Sequence, residues 1–208
     1  MFVLYLGLIG FIAFTLGVAI LGLWLRRHPS RANAERSSRF MQNLFFAGLV
    51  APAVVILVYP GLTQLDGLVG FNSFPSSSIL LILGILLAFS GLYLLGVSNR
   101  LLRAKGNSAN AFRLTDRIVQ TDMYLRTRNP MSLGYYLWTF SLGLISGSRL
   151  FTFIVLFGFI PAHIFFLKYF EELELELRFG EAYEQYKQKV PFLIPKIQGV
   201  GIADRDQA

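Results

Sequence analysis

Charged residues are absent from five long stretches of this chain. Together these stretches make up more than half of the 208 residues, and they are 1–25, 40–65, 67–99, 129–148 and 150–167. A helix needs about 20 mostly apolar residues to cross a bilayer whose hydrocarbon core is about 30 Å thick. Only 15% of the residues are charged, against about 25% in soluble domains. The pattern therefore predicts an all-α integral membrane protein and excludes a soluble globular enzyme.

The basic residues predict how the chain crosses the membrane. We expect about five spanning helices, at 2–25, 40–59, 78–97, 131–146 and 150–167. Lys and Arg gather between the first and second spans and between the third and fourth, and they are scarce in the other two connections. Short cytoplasmic loops collect Lys and Arg, so the N-terminus is expected outside and the C-terminus in the cytoplasm. The net charge of +7 is explained by these cytoplasmic loops and by their contact with anionic membrane lipids. Nucleic-acid binding is therefore not expected.

The last two spans are predicted to form a tight helical hairpin, because only Gly147-Ser148-Arg149 separates them. Such a hairpin returns two polar clusters, 124–134 and 171–180, to the same face of the membrane. A C-terminal cytoplasmic helix is expected to follow, with Gly180 as a helix stop. The predicted organisation is transmembrane helices 1–3 in 1–98, a functional core in 99–198 and a tail in 199–208.

Cysteine is absent, and the two histidines, His28 and His163, are far apart in the sequence. Disulfides, thiolate nucleophiles and cysteine-ligated metals are therefore excluded, and no metal site is predicted. His163 lies within a span, where a polar side chain is a functional hypothesis by default. A neutral imidazole hydrogen-bonded to a neighbouring helix is the favoured interpretation.

Two motifs flank the hairpin. The first reads YLRTRNPMSLGYY from Tyr124, and the second reads EELELELRFGEAYEQYKQKVPFLIP from Glu171. Together they resemble the isoprenylcysteine carboxyl methyltransferase family, which includes bacterial relatives and related phospholipid methyltransferases. That family's pattern is Arg-His/Asn-Pro-x-Tyr-x-Gly, a helical hairpin, Glu-Glu-x-x-Leu and Phe-Gly-x-x-Tyr-x-x-Tyr. The resemblance covers residues 112–196.

The resemblance implies an S-adenosylmethionine-dependent membrane methyltransferase whose lipophilic acceptor enters from the bilayer. The cofactor-binding residues that it implies, at the cytosolic ends of the last helices, are Arg117, Ile118, Val119, Tyr124, Asn129, Pro130, Met131, Ser132 and Glu171. Glu172 and Arg128 are the candidate catalytic residues. Glu172 is expected as a carboxylate either close behind the cofactor contacts or on the substrate side. Arg128 has two alternatives: headgroup anchoring, which is favoured, and contact with cofactor or substrate.

Three positions depart from the family pattern. Asn129 replaces the commoner His, as in prokaryotic members, so a prokaryotic plasma membrane is the expected location. Ser132 stands where Tyr is usual. Leu167 stands where eukaryotic members have an Arg that contacts the prenylcysteine carboxylate, so the acceptor's identity stays open. A carboxylate acceptor is favoured over an amine, because it needs no general base and Glu172 is the one candidate base.

Several alternatives remain open at this point. A sterol-reductase-like enzyme that binds NADPH has related final spans, and a non-enzymatic small membrane protein would need no site. Asn129-Pro130 is also typical of a helix start with proline in the first turn. Glu174 and Glu176 are expected on a solvated helix face, with Glu174 paired to Arg178 four residues later. The oligomeric state is not predicted.

Overall fold

The computed structural model describes residues 2–59, 61–107 and 114–195, and these residues form helices and no strands. In chain order the helices are α1 (Phe2–Arg27), α2 (Arg31–Val58), α3 (Leu62–Leu65), α4 (Ser78–Lys105), α5 (Met123–Arg126), α6 (Pro130–Ser146), α7 (Arg149–Phe179) and α8 (Glu181–Lys189). The predicted tail, 199–208, lies outside the described residues.

Four helices of the described chain, α1, α2, α4 and α7, are long and apolar enough to cross a bilayer, as expected for a membrane protein. Large apolar side chains such as Ile79, Phe89 and Phe157 are exposed on their outer faces. The predicted fourth span corresponds to α6, which has 17 residues. At about 1.5 Å per residue, α6 is about 26 Å long, somewhat less than the hydrocarbon thickness. A fifth span and the orientation of the termini therefore stay predictions.

α2 is longer than the predicted second span, because the basic segment before it is helical too. The helix begins at Arg31, where the Ser30 hydroxyl accepts a hydrogen bond from the Asn33 N–H at 3.1 Å. Pro52 lies inside it, and the preceding turn, Phe46–Val50, is a π-helix. Proline has no N–H to donate to the preceding turn, and the helix continues past it with this wider turn.

Close packing joins α4 to α6 and α6 to α7. A Cβ atom on Gly91 would lie 2.7 Å from the Trp138 nitrogen and 2.8 Å from the Gly134 carbonyl oxygen. The small residue therefore lets the two helices approach closely, as expected for membrane helices. Gly147, with a φ of +73°, ends α6, and Ser148 caps α7. The predicted hairpin is confirmed.

The start of α7 is held by a carboxylate that is distant in sequence. Asp66, in the connection after α3, is 1% exposed. It accepts hydrogen bonds from the Leu150 N–H at 2.7 Å, the Arg149 N–H at 3.0 Å and the Ser148 hydroxyl at 3.0 Å. Burial raises the pKa of the Asp66 carboxyl, but these hydrogen bonds outweigh burial and hold the pKa below its ordinary value. Asp66 thereby fixes the hairpin at the end opposite the functional cluster.

A shared core joins α1, α2 and α7. Its fully buried members include Phe14, Val18, Met41 and Phe170. This core packs against one face of the C-terminal part of α7. The opposite face of α7 is turned toward α6 and α8. The space left between α2, α6, α7 and α8 is the site described next.

Candidate active site

A cavity of about 230 Å³ opens between α2, α6, α7 and α8, and the loop 114–121 also lines it. It lies toward the basic end of the bundle, which we define as the end where α1 finishes and α6 begins. The hairpin brings Asn129 and Glu171 to the same cavity, although they are far apart in the sequence. The convergence of the two motifs is therefore confirmed.

The structure brings most of the predicted site residues to this cavity. Those that line it are Ile118, Val119, Tyr124, Arg128, Asn129, Met131, Ser132 and Glu171. Three are not among its lining residues. Arg117 is exposed on the loop, Pro130 is buried in the first turn of α6, and Glu172 is buried beside the cavity. The location of the cofactor itself stays a prediction.

Arg128 and Glu172 form a buried ion pair. The Arg128 Nη1 and Glu172 Oε1 atoms are 3.0 Å apart, and the side chains are 7% and 10% exposed. Lys187 of α8 approaches the other oxygen of Glu172 at 3.4 Å and pairs with Glu176 at 2.6 Å. The headgroup-anchor alternative for Arg128 is therefore wrong. The pair fixes the start of α6 and the docking of α8 on α7.

A second buried ion pair corrects the expectation for Glu174. Glu174 does pair with Arg178, at 2.7 Å, but the side chains are only 3% and 4% exposed. The face is not solvated there, because α2 and the loop 114–121 cover this side of α7. Both residues line the cavity. Arg178 also donates to the carbonyl oxygen of Thr115, which holds the loop over the cavity.

Asn129 has a structural contact that the sequence did not reveal. Its side-chain amide donates to the Phe192 carbonyl at 3.0 Å, and the Arg128 N–H donates to the Pro191 carbonyl at 2.9 Å. Thr127 donates to the Leu193 carbonyl at 3.0 Å. Residues 191–193 therefore pack against the start of α6. Pro130 occupies the first turn of α6, so the helix-start interpretation of this motif is confirmed as well.

Three tyrosines line the wall between α5 and α8. Tyr186 donates its hydroxyl to the carbonyl oxygen of Tyr124 at 2.7 Å, and Tyr183 lies beside it. Burial raises the pKa of Tyr124, Tyr183 and Tyr186 above the ordinary tyrosine value. These hydroxyls are thus uncharged near neutral pH, and the Tyr186 hydroxyl proton is already donated to the Tyr124 carbonyl oxygen.

The other end of the cavity is apolar and aromatic. It is lined by Phe45, Phe46 and Phe166, with His163 among them. The His163 Nδ1 atom lies 2.8 Å from the Tyr136 hydroxyl of α6, which confirms the predicted hydrogen bond to a neighbouring helix. His163 precedes Glu171 by eight residues, about 12 Å along α7. The cavity therefore runs from a charged end to an aromatic end.

Sequence patterns gave no signal for several lining residues. Thr115 and Gln42 are ordinary in their sequence context. Arg178 was visible as the partner of Glu174, but its burial was not. Among the described residues no group of three or more His, Asp or Glu is arranged to hold a metal ion.

The fold and the cavity define a helical membrane protein with a charged, partly enclosed site. The sequence model of the phospholipid methyltransferase family matches residues 79–182, half of the chain. The chain belongs to this family of membrane methyltransferases. It is also 35% identical over 89 residues to the protein-S-isoprenylcysteine O-methyltransferase of Schizosaccharomyces pombe. That match covers 41% of this chain and 36% of the relative. No solved structure matches the chain significantly.

Proposed function

We propose that this protein transfers the methyl group of S-adenosylmethionine to a lipophilic acceptor that resides in the membrane. The observation that carries this proposal is the two-ended cavity. Charged and hydroxyl groups line its basic end, and aromatic side chains line the end about 12 Å deeper along α7. The basic end suits the polar groups of a donor, and the aromatic end suits the apolar part of an acceptor.

The charges around the cavity fit the methyl donor. The lining residues Arg128 and Arg178 each lie against a carboxylate, Glu172 and Glu174 respectively, so the carboxylate of Glu171 is left in excess. S-adenosylmethionine has a sulfonium, an ammonium and a carboxylate, and thus a net positive charge. The excess carboxylate matches that charge.

Unsatisfied buried donors support the same fit. The Nε atoms of Arg128 and Arg178 are buried and have no hydrogen-bond partner among the described residues. Such groups are costly unless a ligand satisfies them. We therefore propose that Glu171 holds the positive end of the donor. The two guanidinium groups and Asn129 would hold its carboxylate or hydroxyl groups.

When bound, S-adenosylmethionine supplies an electrophilic methyl carbon on a positively charged sulfur. The chain's contribution is then orientation, exclusion of water and a fixed electrostatic field. The loop 114–121 covers the charged end of the cavity, and residues 191–193 hold the start of α6 in place. Glu172 is held by Arg128 and Lys187, so we propose that it positions Arg128 instead of acting as a free base. With Glu171 assigned to the donor and Glu172 held against Arg128, we propose an acceptor that needs no proton removal, such as a carboxylate.

The family model and the relative name two different acceptors, a phospholipid and an S-isoprenylcysteine. Both acceptors are lipophilic, and we propose only this shared property for the acceptor of this protein. The test is calorimetric titration of the detergent-purified protein with S-adenosylhomocysteine. We expect binding by the wild type and at least a tenfold loss for Glu171→Gln. The exposed Glu184→Gln on α8 serves as the matched control and should bind like the wild type.

Two results would contradict the proposal. One is the absence of any heat with S-adenosylhomocysteine, particularly if NADPH binds instead. The other is equal affinity of Glu171→Gln and Glu184→Gln. If S-adenosylhomocysteine binds as expected, incubation with radiolabelled S-adenosylmethionine and a membrane lipid extract identifies the acceptor from the labelled product.

A further inference from the structure

His163 gives the aromatic end of the cavity a single strong polar feature. The imidazole is packed among Phe45, Phe159 and Phe166, with ring centroids 5.4 to 5.8 Å away. It also lines the cavity, so one edge of it is available to a ligand. Burying a polar ring among phenylalanines is costly unless its nitrogen atoms have partners. One nitrogen has Tyr136, and the other is left for the cavity.

The Tyr136 contact determines which nitrogen carries the proton. Tyr136 is 5% exposed, and its hydroxyl contacts His163 Nδ1 at 2.8 Å. If the hydroxyl donates to Nδ1, its proton and the nitrogen lone pair are both satisfied. If Nδ1–H donated instead, the buried hydroxyl proton would lack this acceptor, which costs about 1–3 kcal/mol. The favoured tautomer therefore has the proton on Nε2, and Nε2–H is a donor toward the cavity.

The charges nearby indicate what this donor can bind. The charged lining residues belong to the basic end, at Arg128 and from Glu171 onward, and both lining arginines are paired. The side chains that surround the imidazole are uncharged. An anionic group placed there would lose its hydration without gaining a counter-ion. An uncharged oxygen with a lone pair would accept the hydrogen bond without that cost.

We propose that His163, oriented by Tyr136, is a specificity-determining residue that donates a hydrogen bond from Nε2 to an uncharged oxygen in the apolar part of the methyl acceptor. The oxygen of an ester or ketone carbonyl has this property. The proposal rests on the proposed function, because it assigns the aromatic end to the acceptor. It implies that the acceptor is an oxygen-bearing lipid and that a plain hydrocarbon chain leaves His163 unsatisfied.

The chain is well suited to a direct test, because it contains only two histidines. Protein labelled with ¹⁵N-histidine in detergent micelles gives the ring-nitrogen signals of two imidazoles, two nitrogens in each. His163→Gln assigns them, and the exposed His28 is the internal control. We expect His163 to have a protonated Nε2 and an unprotonated Nδ1. Methyl decanoate should shift the Nε2–H signal, whereas undecane, of similar length but without oxygen, should not.

Tyr136→Phe separates this role from simple packing. The substitution preserves the ring, but it should let the Nδ1–H tautomer appear and should reduce the response to methyl decanoate several-fold. A protonated Nδ1 in the wild type, or equal shifts with methyl decanoate and undecane, would overturn the proposal. A larger response to decanoate, or a Tyr136→Phe response equal to the wild type, would do so too. The measurement uses no methyl donor, so it is independent of the titration with S-adenosylhomocysteine.

Discussion

Replacing Glu172 by Gln isolates the charge of one buried carboxylate. Glu172 and Arg128 are 3.0 Å apart, and neither side chain is more than 10% exposed. Glutamine has nearly the same shape, so the substitution leaves the Arg128 guanidinium buried without its counter-ion. Lys187 keeps its contact with Glu176 at 2.6 Å, so the loss falls mainly on Arg128.

The size of the effect follows from this geometry. Breaking a buried ion pair by removing one partner costs about 3–5 kcal/mol. Because the two atoms form a charge contact without a hydrogen bond, we expect the lower end, about 3 kcal/mol in the free energy of unfolding. Since about 1.4 kcal/mol is a factor of ten, the unfolding equilibrium constant should rise roughly 100-fold. The exposed Glu184→Gln should change the free energy by less than about 0.5 kcal/mol.

Unfolding by SDS in mixed micelles, followed by the fluorescence of the two tryptophans, measures these differences. The variant Arg128→Gln/Glu172→Gln removes both charges and should be less destabilised than the sum of the single variants. A coupling energy of about 1.5 kcal/mol or more is expected for a pair in direct contact. Strict additivity, or an unchanged stability of Glu172→Gln, would refute the assignment of Glu172 as the group that holds Arg128.

Two further predictions concern the scaffold. Gly91→Ala should destabilise the protein by about 1–3 kcal/mol, because its Cβ would lie 2.7 Å from the Trp138 backbone nitrogen. Gly96→Ala, with open space around it, should be neutral or stabilising. Thermal unfolding of both variants checks this prediction, and equal melting temperatures would contradict it. Asp66→Asn should lower stability near neutral pH. Because the folded pKa of Asp66 lies below its ordinary value of about 3.8, the carboxylate's contribution is present above that value and is lost as the pH falls through the folded pKa. The difference in unfolding free energy from the wild type should therefore narrow below about pH 3.8, and a difference that is constant from pH 7 to pH 3 would contradict the capping role.

Much of the fold could be predicted because the bilayer constrains it strongly. Long uncharged stretches can only be spanning helices when no water is available to their backbone groups. The two residues between α6 and α7 leave no geometry except a hairpin, and this alone places Asn129 near Glu171. The burial of Glu174 and Arg178 could not be predicted, because their spacing suits a solvated pair equally well. Burial depends on which helix covers that face.

The amino-acid sequence was enough to predict a helical membrane protein of the methyltransferase type, with its polar motifs at one end of a hairpin. Those features follow from local composition, spacing and motif. The partners of the charged side chains became known from the packed helices. The tertiary structure paired Arg128 with Glu172 and left Glu171 outside the ion pairs of the described chain. It also placed His163 against Tyr136 and set Asp66 on the start of α7. Each of these contacts joins residues on different elements, so it exists only once the helices have packed.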